Sequence, residues 1–224
     1  MRTLKAAVAE ALFLIGLERN ADVVVASSFA PLLKNVNGNA SRPCCGNQHN
    51  LVQFNATHLF ATPSFYAQRM LSESMGTHAL PTNVSGGATA QGALWSAQAS
   101  TSTAINASRS ASSSSSSSSL SSSSDFNVVV KLVNYQPAAQ PVNITLDGLH
   151  PAQKVTAVRA QVLTDADPLA ENTLDQPLRV EPKAMMGEDN GRGGGGGGFV
   201  ISGREGVHGV LPAWSVVVAT LTIE

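Results

Sequence analysis

The residues best suited to acid–base chemistry near the start of this 224-residue chain are Glu10 and Glu18. They lie eight residues apart on one predicted helix, so their backbones are separated by about 12 Å along its axis. A pair of carboxylates that retains configuration at a sugar carbon needs about 5–5.5 Å, so these two are read as solvated or ion-paired. The acidic stretch "DADPLAENTLDQP" (165–177) is rich in turn residues and reads as an exposed loop. The five histidines, His49, His58, His78, His150 and His208, show neither HxxxH spacing nor a cysteine partner, so no metal site is expected. The cysteines, Cys44 and Cys45, are adjacent. Neighbours in sequence rarely meet the geometry of a disulfide, and their spacing is not that of a zinc site. A GxGxxG pattern occurs only within the glycine homopolymer, ahead of the β-like "FVIS" (199–202) and not of a helix, so no phosphate cradle or cofactor follows from it. Five Asn-x-Ser/Thr triplets, at Asn39, Asn55, Asn83, Asn106 and Asn143, are candidate glycan acceptors if the chain enters the secretory route.

The elements that would position such groups begin with "AEALFLIGLERNADVVVASSFAPLL" (9–33). Met1, Arg2 and Lys5, an apolar run over 6–17 and Val24-Val25-Ala26 mimic a secretory leader. A carboxylate at Glu10 is costly inside such a core, and Glu18 and Arg19 separate it from the cleavage position. The favoured reading is a helix followed by a strand, with no signal peptide. Leu4, Val8, Ala11, Leu12 and Ile15 share one helical face, and Phe13, Leu14 and Leu17 fill much of the other, which predicts a buried helix. Val23–Ala26 lacks alternation and predicts a strand covered on both faces, as in a parallel sheet. A second helix is predicted over 62–76, with Thr62 as its cap, Pro63 in its first turn and Gly76 at its end.

Beyond residue 91 the pattern changes. The runs 93–100, 126–134, 140–149, 154–164 and 213–223 are β-rich, and Val142, Ile144 and Leu146 alternate with Asn143 and Thr145. Turn residues separate the runs, which predicts an antiparallel sandwich. The serine tract (108–125) and the glycine tract (187–198) interrupt it. Loop insertions of this kind add only logarithmically to closure entropy. A net charge of −1 favours neither nucleic acid nor an anionic membrane surface, and the opening segment is too short and too charged to span a bilayer. Read this way, the chain is the tail of an α/β domain joined to a sandwich, with no catalytic site visible.

Several stretches together resemble one family, the α-L-arabinofuranosidases of glycoside hydrolase family 51 in their plant-like form. They are "AVAEALFLIGLERNADVVVASSFAPLLKNVN" (7–37), "VQFNATHLFATPSFYAQRMLSESMG" (52–76), "VLTDADPLAENTLDQPLRVEP" (162–182) and "LPAWSVVVATL" (211–221). The resemblance implies a mainly β chain. A jelly-roll-like antiparallel sandwich (81–224) would follow the last helix and strand of a (β/α)8 barrel (1–80). It also implies arabinose-containing polysaccharide as the partner of the intact enzyme, an extracellular or cell-wall location and no cofactor. The family's two catalytic glutamates lie upstream of the first matching stretch, so no catalytic residue is assigned here. Glu10 matches a helix glutamate of the family, not the nucleophile. Ser28 and Phe29, at the end of the last strand, are the implied candidates to lie beside the sugar; Phe29 stands where the family often has Tyr, and packing at the top of the barrel is the alternative reading for it. The loop "GNASRPCCGNQHN" (38–50) lacks the family's Trp-x-Pro-Asp stretch, which puts any substrate contact from that loop in doubt. One helix and one strand cannot close a barrel, so residues 1–36 are expected to leave apolar surface uncovered. The alternative is a non-catalytic sandwich that binds polysaccharide or a partner, with Trp95 as its sugar platform.

Overall fold

The structure, a computed structural model, describes residues 2–37, 50–84, 126–185 and 198–224, together with the backbone of 95–103. Helix α1 (Leu4–Arg19) opens the chain. The short strands β1 (Leu33–Asn35), β2 (Val52–Phe54) and β3 (Leu59–Ala61) follow, then helix α2 (Pro63–Glu73). The remainder is β: β4 (His78–Leu80), β5 (Trp95–Thr103), β6 (Phe126–Asn134), β7 (Gln140–Thr145), β8 (Val155–Leu163), β9 (Lys183–Met185), β10 (Val200–Ser202), β11 (Gly206–Leu211) and β12 (Ser215–Ile223).

Two antiparallel sheets form the sandwich. One has six strands in the order β4-β5-β6-β12-β8-β9 and the other three in the order β10-β11-β7. Strand β12 pairs along its whole length with β6, from Ser215 opposite Asn134 to Ile223 opposite Phe126. Val128, Val130 and Leu132 of β6 and Val217, Ala219 and Leu221 of β12 point at the small sheet and meet Val142, Phe199, Val207 and Leu211. Phe199 lies so close to β11 that a Cβ on Gly209 would come within 2.7 Å of its ring, so only glycine fits there.

The opposite face of the large sheet is covered by the helices. Val129 and Val133 of β6 and Val216 and Val218 of β12 pack with Leu4, Val8, Ala11 and Ile15 of α1 and with Ala67, Met70 and Leu71 of α2. The central strands are therefore buried on both sides. That is why "VVVKLV" (128–133) shows no polar alternation, although it belongs to an antiparallel sheet. Strand β7, at the edge of the small sheet, keeps the expected alternation: Val142 is buried while Asn143 and Thr145 are exposed.

A threonine hydroxyl caps the start of each helix, at Thr62 as the sequence predicts and at Thr3. The Thr62 hydroxyl accepts from the Phe65 amide, and Pro63 takes the first turn, but α2 ends at Glu73 rather than at Gly76. The Thr3 hydroxyl accepts from the Ala6 amide, and the carbonyls of Ala170 and Pro168 accept from the amides of Leu4 and Lys5. The 165–177 segment is thus not simply an exposed loop. Its backbone caps α1, Ala170 and Asn172 are buried, and Arg2 pairs with Glu171 at 2.7 Å.

Two expectations for the opening segment are corrected. Helix α1 is not buried all round, since Phe13 is 66% exposed. The predicted strand Val23–Ala26 does not form, and Val23 and Val25 are 74% and 96% exposed. A run of this type stays buried only between neighbouring strands, and no described strand pairs with it. The uncovered apolar surface expected of residues 1–36 is present.

Candidate functional site

A groove of about 780 Å³ lies between α1, α2 and the extended run after α1. Leu14 and Leu17 of α1, Leu71 of α2 and Val24–Ser27 of the run give it apolar walls, while Glu18, Arg69 and Glu73 supply polar groups. Both carboxylates are engaged. Glu73 accepts from Arg69 Nε at 2.8 Å, an i,i+4 pair on α2. Glu18 accepts from Lys131 Nζ through both oxygens at 2.7 Å.

Lys131 comes from the middle of β6, is 1% exposed, and also donates to the Leu71 carbonyl at 3.0 Å. One ammonium therefore joins the end of α1, the end of α2 and the large sheet. A charged strand residue among valines and leucines survives burial only when paired and hydrogen-bonded. The lysine within "VVVKLV" was the signal in the sequence for this node.

Glu10 is buried on α1 and accepts through Oε1 from Gln68 Nε2, while its Oε2 has no hydrogen-bond partner among the described residues. Glu10 and Glu18 thus face different partners, and neither is set opposite the other as an acid and a nucleophile would be. Burial raises the Tyr66 phenol above its usual value and the Glu181 charge adds to this, against the opposing pull of Arg69.

Ser28 is exposed and Phe29 half-buried, just beyond the groove-lining run. Of the glycan candidates, Asn83 and Asn143 are exposed, and Asn143 sits opposite His208 in the small sheet. Asn55 is half-buried, its Oδ1 accepting from the Thr57 amide at 2.9 Å and the His58 amide at 2.6 Å. Asn39, Asn106, Cys44, Cys45, His49 and the Trp95 side chain lie outside the described residues, as do both low-complexity tracts apart from Gly198. Among the described residues no cluster of three His, Cys, Asp or Glu side chains is placed to hold a metal, and no helix is long and apolar enough to cross a membrane.

A second node, built on aromatic rings, went unread in the sequence. Tyr135 and Trp214 meet edge to face at 4.9 Å between ring centroids, and Lys5 Nζ lies 4.9 Å from the Trp214 ring centre. Trp214 holds a left-handed backbone with φ 47° in the turn between β11 and β12. "LPAW" marks the turn, but nothing in it announces the φ.

The family model for the α-L-arabinofuranosidase C-terminal domain matches residues 1–196. α-L-Arabinofuranosidase 1 of Arabidopsis thaliana is 31% identical over 82% of this chain and 23% of its own length. α-L-Arabinofuranosidase A of Aspergillus niger is 27% identical over 96% of this chain and 26% of its own length. A solved arabinose-bound GH51 α-L-arabinofuranosidase, MgGH51, is similar across 100% of this chain and 28% of that one, at 25% identity and a TM-score of 0.66. The chain spans about a quarter of the length of the curated relatives it matches. With a sandwich, a helix pair on its outer face and the family match along most of its length, the chain belongs to the α-L-arabinofuranosidase C-terminal domain family of glycoside hydrolase family 51.

Proposed function

We propose that this chain serves as the C-terminal part of an α-L-arabinofuranosidase acting on arabinose-containing cell-wall polysaccharides, and that it supports the reaction without supplying the reacting carboxylates. The family match over residues 1–196 carries this reading. The uncovered groove beside α1 and the structural engagement of Glu10, Glu18 and Glu73 support it. Residues 1–80 would be the closing portion of the catalytic α/β domain, apart from β4, which joins the large sheet of the bracing sandwich formed by 81–224. Ser28 and Phe29, at the end of the extended run, would lie at the mouth where barrel enzymes gather their substrate contacts. The intact protein would act outside the cell, where Asn83 and Asn143, both exposed, are the most accessible of the described glycan acceptors.

The test is a chimera in which this chain replaces the matching C-terminal quarter of the Arabidopsis protein. Hydrolysis of an aryl α-L-arabinofuranoside is expected. A chimera that melts cooperatively like the parent yet turns over no substrate would overturn the proposal.

A further inference from the structure

The register of the small sheet lays out its outer face. Residues directly opposite one another share a face, so Val200, His208 and Asn143 form one outward row and Ser202, Gly206 and Thr145 the next. Every residue of these rows except Gly206 is exposed, and both helices lie on the far side of the large sheet. A hollow of about 640 Å³ opens over Gly206. A Cβ on Gly206 would lie 2.6 Å from the Ser202 carbonyl oxygen, so its floor stays bare. Thr145, Ser202 and His208 stand round it. Arg204 is fixed at its rim by donating to the His150 carbonyl at 2.9 Å.

This set of groups suits a sugar. Hydroxyls and a guanidinium exchange hydrogen bonds with sugar hydroxyls, and the His208 ring and Val200 offer a less polar surface to ring C–H groups. The side chains of Thr145, Ser202 and His208 make no hydrogen bond among the described residues. A sugar tethered beside the hollow reaches it at the highest effective concentration. Asn143 adjoins it, opposite His208, and its amide is likewise without a hydrogen bond among the described residues. Asn143-Ile144-Thr145 is an acceptor triplet. We infer that an N-linked glycan on Asn143 is folded down onto this face, with its first sugar seated over Gly206, so that the glycan is the outer layer of the small sheet. This rests on the extracellular location proposed above and goes beyond it by giving the glycan a seat. In the transfer, Asn143 Nδ2 bonds to C1 of a lipid-pyrophosphate-linked oligosaccharide. The C1–O bond breaks, the lipid pyrophosphate leaves with its electron pair, and the amide nitrogen gives up one proton.

The test expresses this chain behind a secretory leader in a eukaryotic host or, where the chain alone is retained in the cell, within the chimera with the Arabidopsis protein. The tryptic peptide 132–154 holds Asn143 and no other acceptor triplet. It is expected to carry a glycan, to lose it in Asn143→Gln and Thr145→Ala, and to keep it in Thr145→Ser. An endoglycosidase then trims the glycan to its first sugar. The amides of residues 207–211 should exchange at least ~5-fold more slowly with that sugar in place than in Asn143→Gln, while those of β12 stay alike. Ser202→Ala/His208→Ala should erase the difference with the sugar still attached. A bare peptide overturns the inference. So does a trimmed sugar that leaves β11 exchanging as in Asn143→Gln, since it then hangs free. Retardation of the unglycosylated chain by soluble arabinan, abolished by Ser202→Ala/His208→Ala, would assign the hollow to a separate polysaccharide and overturns it too. An inactive chimera that keeps a seated glycan removes the proposed hydrolase function and leaves the glycan standing. An active chimera with a bare Asn143 does the reverse.

Discussion

The ammonium of Lys131 on β6 sits 2.7 Å from both carboxylate oxygens of Glu18 at the end of α1, with the lysine 1% exposed and the glutamate side chain 19% exposed. The two residues are 113 positions apart in sequence. They join the helix that leads into the extended run to the central strands of the sandwich, so the run is positioned from the sandwich side.

The two partners of that pair should respond unequally. Glu18→Gln strands a fully buried cation and should cost about 3–5 kcal/mol. Lys131→Met should cost less, because Glu18 can turn towards the groove and its water. The double variant Lys131→Met/Glu18→Leu should recover most of the loss, since an apolar replacement removes both desolvation penalties. Urea midpoints of the three variants decide this. Equal losses for the two single variants, with no recovery in the double, would mean that the pair is not the main contact.

Asn172 ties together segments that strand pairing leaves unconnected. Its amide nitrogen donates to the Ala61 carbonyl at 2.8 Å and the Val180 carbonyl at 2.9 Å, and its oxygen accepts from the Val180 amide at 2.7 Å. The residue is 1% exposed. Asn172→Ala should destabilise the protein by about 2–3 kcal/mol by leaving those groups buried and unpaired. A thermal shift no larger than that of an exposed substitution such as Thr173→Ala would contradict this.

Tyr66 gives a pH dependence of defined sign. Its folded-state value is raised, chiefly by burial and then by Glu181, above the usual 10.0. The neutral phenol is thus the form that the fold prefers. The contribution is fully present below the unfolded value and is lost as pH rises through the folded one. Denaturation midpoints should fall in alkaline solution above about pH 10, and Tyr66→Phe should flatten that fall. The same slope in the variant would show that another group is responsible.

What could be read from the residues followed from local chemistry. Thr62 and Pro63 mark the start of α2, and Val142, Ile144 and their polar neighbours identify a strand with one covered face, because caps and alternation are decided within a few residues. The double burial of β6 and β12 was not legible, because an apolar run does not say which layers will cover it. The backbone carbonyls of Pro168 and Ala170 cap α1 from far along the chain, and the acidic composition around them points only to a loop. Lys131 was missed, although a lysine inside an apolar run is a local signal, and its partner could be named only once the sheet and the helix were brought together. Val23–Ala26 shows the opposite failure. Its pattern calls for burial on both faces, yet Val25 lies in water, since strand propensity cannot supply the neighbours that a strand needs.

The most direct measurement is the hydrolysis of an aryl α-L-arabinofuranoside by the purified chain alone, beside the intact chimera. The account predicts no turnover above the uncatalysed rate for the chain and clear turnover for the chimera. Enzymatic turnover by the isolated chain, abolished by substituting Glu10 or Glu18, would contradict it outright.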